Sequence, residues 1–152
     1  MHFNILITAC LIVVTTAIHA GGMMLAMQAI QKYEGKVSKR SPLRHINWIS
    51  GIVILLFLAS LLEVLVWAST YLALNAIQGF ERALYFSMVT YTTLGYGDIV
   101  LAEGWRLLGS FEAAIGIIMF GWTTAIVIAA VTRIYFREET GSHRHADPGN
   151  KP

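Results

Sequence analysis

Charge is scarce in this chain. Only 13% of its 152 residues are Asp, Glu, Lys or Arg, against about 25% in an ordinary soluble domain. The net charge of +2 is too small to suggest a nucleic-acid partner. Cysteine is nearly absent: Cys10 is alone, which excludes an intrachain disulfide and leaves the redox compartment unspecified. Cys10 lies in an apolar run and reads as a small buried or lipid-facing residue. The start, Met1-His2-Phe3-Asn4, has no Lys or Arg. A cut after Ala20 would put Ile18 where a signal peptidase wants a small residue. Ile7-Thr8-Ala9-Cys10 looks like a lipoprotein cleavage box but has no basic stretch before it. The first apolar run is therefore expected to stay as a helix.

What the chain does have is hydrophobicity: 56% apolar residues and a mean hydropathy of +0.61, the composition of a membrane protein. Three apolar runs, roughly 3–30, 46–74 and 107–136, each reach the roughly 20 residues needed to cross a bilayer core. The connection 31–45 carries Lys32, Lys36, Lys39, Arg40 and Arg44 against Glu34, and Arg133 and Arg137 follow the third run. Basic residues in short loops stay cytoplasmic. The connection 75–106, with Glu81, Asp98 and Glu103 against Arg82 and Arg106, should face outward. The N-terminus is then outside and the C-terminus inside. Trp48 and Trp105 suit interface anchors better than Trp67 and Trp122.

Residues 80–92 are apolar but too short to span, and Gly79-Phe80-Glu81-Arg82 looks like a helix start. Such an element is re-entrant by default, and survives at membrane depth only against protein or a water-filled cavity. Thr92-Thr93-Leu94-Gly95-Tyr96-Gly97-Asp98 follows it. Glycines at alternate positions let successive carbonyls turn to one side. Four such rows around an axis would make stacked rings of neutral oxygens able to replace the water of a dehydrated cation. Thr93 adds a hydroxyl beneath them. The alternative is an ordinary Gly/Thr-rich outer loop.

Leu84-Tyr85-Phe86-Ser87-Met88-Val89-Thr90-Tyr91-Thr92-Thr93-Leu94-Gly95-Tyr96-Gly97-Asp98 resembles the pore helix and selectivity filter of the potassium channel family, with Leu94 for the usual valine. The resemblance covers roughly 46–137. It implies an all-α membrane protein: three transmembrane helices per subunit, a re-entrant pore helix and filter, and a homotetrameric pore in a lipid bilayer. The units expected are a peripheral helix at 1–31, a basic cytoplasmic loop at 32–45, a pore domain at 46–136 and a short disordered cytoplasmic tail at 137–152, in which Arg137-Glu138-Glu139 can extend the inner helix. Within the pore domain these are an outer helix 46–74, pore helix 80–92, filter 93–98 and inner helix 107–136. Passive K+ permeation breaks no bond, so no enzymatic activity is expected. K+ ions are the permeant species, with no organic cofactor, no nucleic acid and no soluble regulatory domain. Small size and the lack of a cytoplasmic domain indicate a bacterial plasma membrane.

By the same resemblance Thr93, Leu94, Gly95, Tyr96 and Gly97 supply the ion ligands, and Asp98 marks the outer mouth. Tyr85 and Phe86 stand where many members have two tryptophans, and Val89 where some have a glutamate. Phe86 cannot donate to the Tyr96 hydroxyl; Thr90 is the candidate partner, and Tyr85 can reach Asp98. In the inner helix Gly116 serves as a hinge or as a packing point, and Gly121 as a packing point. Ile117, Phe120, Thr124, Ile128 and Thr132 form one helical face that would line the cavity, with Ile128 and Thr132 near a hydrophobic gate. No helix repeats Arg or Lys every third residue, so no voltage sensor is expected.

Glu63 and Glu112 lie inside the second and third runs. Carboxyls there face a bundle interior or water. Each is a hydrogen-bonded structural group or a proton-sensitive gating element; Glu112 is expected to reach hydroxyls or backbone of the pore helix from behind the filter. His19 in the first run reads as an interhelical hydrogen-bonded histidine rather than a metal or haem ligand. His143 and His145 read as a solvated tail. Two rival functions stay open: a poorly selective cation channel, and a non-conducting membrane sensor or assembly subunit.

Overall fold

The computed structural model describes residues 2–34 and 42–145, with side chains at 4–32 and 43–133. Four α-helices account for nearly all of it: α1 (His2–Glu34), α2 (Pro42–Ala73), α3 (Phe80–Tyr91) and α4 (Arg106–His145), the last entered through a 3-10 turn at Glu103–Trp105. No strand occurs among the described residues. Parts of α1, α2 and α4 are long and apolar enough to cross a membrane: Asn4–Lys32, Leu43–Ala73 and Glu103–Arg133. Only 28% of the most apolar window of each is buried within the chain, so lipid or other subunits must cover the rest. The protein is an integral membrane protein.

Local chemistry sets the boundaries. Pro42 opens α2, where its missing N–H belongs to an unpaired first turn. The helix ends in a Schellman motif: the Asn75 amide bonds Leu72 O (3.0 Å), the Ala76 amide bonds Tyr71 O (2.9 Å), and Asn75 takes the left-handed conformation at φ 50°, which asparagine tolerates better than most residues. Gly79, at φ 89°, precedes α3, and Glu81 sits in its first turn, where negative charge complements the helix dipole. Helix α4 runs on past Phe136 to His145, so the tail expected from residue 137 begins as helix. Charge-rich Arg137-Glu138-Glu139 is strongly helix-forming and needs no bilayer to stay so. Residues 35–41 of the basic loop and 146–152 of the tail lie outside the described residues, as do the side chains of His143 and His145.

Two apolar clusters stack along the bundle. The first joins Leu11 of α1, Val64, Trp67 and Tyr71 of α2, Phe86 and Tyr91 of α3, and Leu108, Ile115 and Met119 of α4. The second joins Ala26 and Ile30 of α1, Ile52 and Leu56 of α2, and Ile126 and Ala130 of α4. Trp105 packs beside the first and Trp48 beside the second. Helices α1 and α2 approach closely: a Cβ on Gly22 would stand 3.1 Å from the Ala59 Cβ, the small-on-small contact that membrane helices use. Between the two clusters in chain order lie the buried polar residues His19 and Glu63.

Candidate ion-conduction site

Helix α3 leads directly into the 93–98 segment. Its last turn closes as a second Schellman motif. The Thr93 amide bonds Thr90 O (2.9 Å), the Leu94 amide bonds Val89 O (2.9 Å), and the Gly95 amide also turns to Val89 O (3.3 Å). Thr93 holds the left-handed conformation at φ 59°, a place usually given to glycine and costing a threonine about 1–2 kcal/mol. Gly95 (φ 56°) and Gly97 (φ 79°) share the positive sign, and Leu94 and Tyr96 between them do not. Backbone that alternates hand residue by residue can send successive carbonyls to the same side. With three amides turned back onto α3, no backbone–backbone hydrogen bond outside the helices, among the described residues, ends on a carbonyl of 93–97. The whole segment 92–98 is exposed on the single chain, including the side chains of Leu94 (55%) and Tyr96 (68%).

The neighbours expected of this segment divide in two. Asp98 lies at the Tyr85 phenol, and the hydrogen bond between them holds that phenol above its ordinary pKa. Phe86 is buried and packs edge-on against Tyr71, with ring centroids 5.1 Å apart and planes at 86°, within α3's contact to α2 rather than toward Tyr96. Among the described residues no hydrogen bond joins Thr90 to Tyr96. Val89 is buried and serves through its carbonyl.

Behind the segment sit two buried carboxyls. Glu112 is fully enclosed and meets the Ser87 hydroxyl of α3 (2.5 Å) and the Tyr71 hydroxyl of α2 (2.6 Å). Ser87 also faces Val64 O at 3.0 Å. Glu63 is equally enclosed. It accepts from the Tyr91 hydroxyl at 2.5 Å and pairs with His19 Nδ1 at 2.8 Å, while Thr123 Oγ1 of α4 stands 3.3 Å from His19 Nε2. No group of three metal-ligating side chains occurs among the described residues.

On α4, Gly116 packs against the end of α3: a Cβ there would overlap the Tyr91 carbonyl oxygen. Gly121 meets nothing within 4 Å. Ile117, Phe120, Thr124, Ile128 and Thr132 are all exposed on the single chain, opposite the buried Glu112, Ile115, Met119, Ile126 and Ala130. Thr124 spends its hydroxyl proton on Phe120 O at 2.8 Å, and the Phe120 ring meets Tyr91 edge-on at 5.8 Å.

Tyr91 is the residue that sequence reasoning did not single out. A tyrosine in a short apolar helix is unremarkable by itself. The available signal was indirect: two carboxyls and a histidine inside apolar spans each require a polar partner, but Tyr91 is one of four consecutive hydroxyl residues, Thr90 to Thr93, at the end of α3, and nothing local picks it out.

Residues 48–133 match a family model described as an ion channel. That stretch is more than half of the chain, and the protein belongs to this ion channel family, whose members are transporters rather than enzymes. No curated relative and no solved structure matches the chain.

Proposed function

We propose that the chain is one subunit of a potassium-selective channel, with four copies bringing their 93–97 carbonyls to a common axis. The observation that carries this reading is the alternating backbone of Thr93, Gly95 and Gly97, which frees a row of carbonyls in the string Thr-Leu-Gly-Tyr-Gly-Asp. Neutral carbonyl rings suit a monovalent metal cation and replace its hydration water. K+ ions are then cargo, Asp98 concentrates cations at the mouth, and α3 is a re-entrant pore helix whose negative dipole end faces the ion path. Exposure of 92–98 and of the Ile117–Thr132 face supports assembly, because backbone of this kind persists in a membrane only where protein or water surrounds it. Helix α1 is peripheral. The basic residues around the α1–α2 connection favour a cytoplasmic placement for it, with the filter mouth outside and the subunit in a bacterial plasma membrane.

Purified protein in liposomes tests the reading. The expected result is tetrameric protein, K+ flux that barium blocks, and little Na+ flux. Equal passage of both ions would leave a poorly selective cation channel. Absence of flux from assembled protein would leave a non-conducting membrane subunit.

A further inference from the structure

Helix α1 lies outside the matched residues 48–133, yet it delivers a fully buried histidine to the centre of the bundle. We infer that His19 is a positioning residue for the ion filter, holding Tyr91 in place through Glu63. The inference rests on the selective-filter reading above and assigns α1 a task within it.

The geometry is a relay across all four helices. Glu63 on α2 has two oxygens, and each is claimed by a different helix. His19 of α1 takes Oε1 at 2.8 Å, and Tyr91 of α3 takes Oε2 at 2.5 Å. With Nδ1–H donating to Glu63, the remaining ring nitrogen is an acceptor, and the Thr123 hydroxyl of α4 stands 3.3 Å from it. The His19 ring also tilts against Trp122, centroids 6.3 Å apart. His19, Glu63 and Tyr91 are all but sealed from solvent, at 0%, 0% and 1% exposure. No water competes for these bonds, so losing His19 or Tyr91 leaves one Glu63 oxygen unpaired in an apolar setting.

Tyr91 is where this relay meets ion conduction. It is the last residue of α3, two positions before Thr93. Its carbonyl is pinned against Gly116, its ring against Phe120, and its hydroxyl against Glu63. The carbonyls of Val89 and Thr90 just before it hold the Thr93, Leu94 and Gly95 amides. A rotation at Tyr91 therefore moves the start of the carbonyl row. A row displaced by a fraction of an ångström changes how well its oxygens replace hydration water. His19 touches neither ion nor filter; it acts by orienting the carboxyl that orients Tyr91.

Bulk and hydrogen bonding are separable by experiment. His19→Phe keeps a ring and removes Nδ1–H; His19→Asn gives up the ring but retains a short side-chain N–H donor. Tyr91→Phe removes only the hydroxyl and leaves α1 untouched, so it remains informative if the His19 variants assemble poorly. The measurement is the K+/Na+ permeability ratio of tetrameric protein in liposomes. The expected result is a drop of roughly tenfold for His19→Phe and for Tyr91→Phe, a size set by the loss of one buried hydrogen bond. The double variant should be no worse than either single one, and His19→Asn should recover most of the ratio. A selective parent whose Phe variants keep its ratio, or whose His19→Asn is as impaired as His19→Phe, overturns the inference alone. A parent that passes both ions equally overturns the filter reading and this inference with it.

Discussion

Gly116 and Tyr91 are in backbone contact: the position a Cβ would take on Gly116 is already occupied by the Tyr91 carbonyl. The carbonyl belongs to the final turn of α3 and is not the flexible end of a side chain. Gly116→Ala must then push α3 and α4 apart, and overpacking of this kind costs about 1–3 kcal/mol. The expected outcome is a lower melting temperature and reduced ion flux. Gly51→Ala is the contrast. It has open space within the chain, and alanine favours a helix interior by about 0.5–1 kcal/mol, so its melting temperature should hold or rise. Thermal unfolding of the two purified variants beside the parent checks both.

The hydrogen bonds around Glu112 make a different prediction. Ser87 has one hydroxyl proton and two acceptors in reach, Val64 O and Glu112 Oε1. A proton on Glu112 completes the set, since Ser87 can then give its own to Val64. Glutamine supplies the same pattern, donating to Ser87 and accepting from Tyr71. Glu112→Gln should therefore fold as the parent does, and its flux should follow the parent's pH profile between about pH 5 and 8, the window in which a gating proton would be visible. Glu112→Leu should lose about 1–3 kcal/mol by leaving the Tyr71 hydroxyl unpaired. A pH profile flattened in Glu112→Gln would instead make this carboxyl a gating group.

Which of these features could be read before the structure follows from their range along the chain. The three spans and the short helix between them are properties of contiguous hydropathy, and the alternating glycines are a local string. Thr93's left-handed turn was less legible, because threonine does not advertise it; the amides behind it are fixed by closure of α3. His19, Glu63 and Glu112 announce themselves as polar groups in apolar runs, but their partners do not. His19 and Glu63 are 44 residues apart and Glu63 and Tyr91 are 28 apart, and only the packing of α1, α2 and α3 decides that they meet. Arg137-Glu138-Glu139 offered a continuation of α4, but its reach to His145 was obscured for the opposite reason: hydropathy marks where a helix leaves apolar surroundings, not where it stops.

Tyr85 and Asp98 give a prediction about pH. The hydrogen bond to the carboxylate favours the protonated phenol and raises its pKa above the usual tyrosine value. A raised pKa in the folded chain means this contact is fully present below about pH 10, the unfolded value, and is lost as pH rises through the higher folded one. Asp98→Asn should bring the Tyr85 ionisation back down. The check is the ultraviolet phenolate titration of parent and Asp98→Asn, each read as the difference from its Tyr85→Phe counterpart. An unmoved difference curve would show that Asp98 does not hold the phenol.

The filter itself yields the sharpest contrast, because its conformation penalises side chains whatever the available space. Gly97 has nothing within 4 Å of a built Cβ, yet its φ is 79°. An L-residue there costs about 1–2 kcal/mol in backbone strain, and the chain relieves it by returning to negative φ, which breaks the alternation and rotates a carbonyl out of the row. Gly104 has equal room and no positive φ. Sterics alone would rank the two positions alike; backbone handedness ranks them apart. Gly97→Ala should assemble as a tetramer and lose most K+ flux, and Gly104→Ala should conduct as the parent does. Barium-sensitive flux measured in liposomes on both variants decides, and a Gly97→Ala channel with the parent's K+ flux and K+/Na+ ratio would show that the alternating backbone is not what conducts the ion.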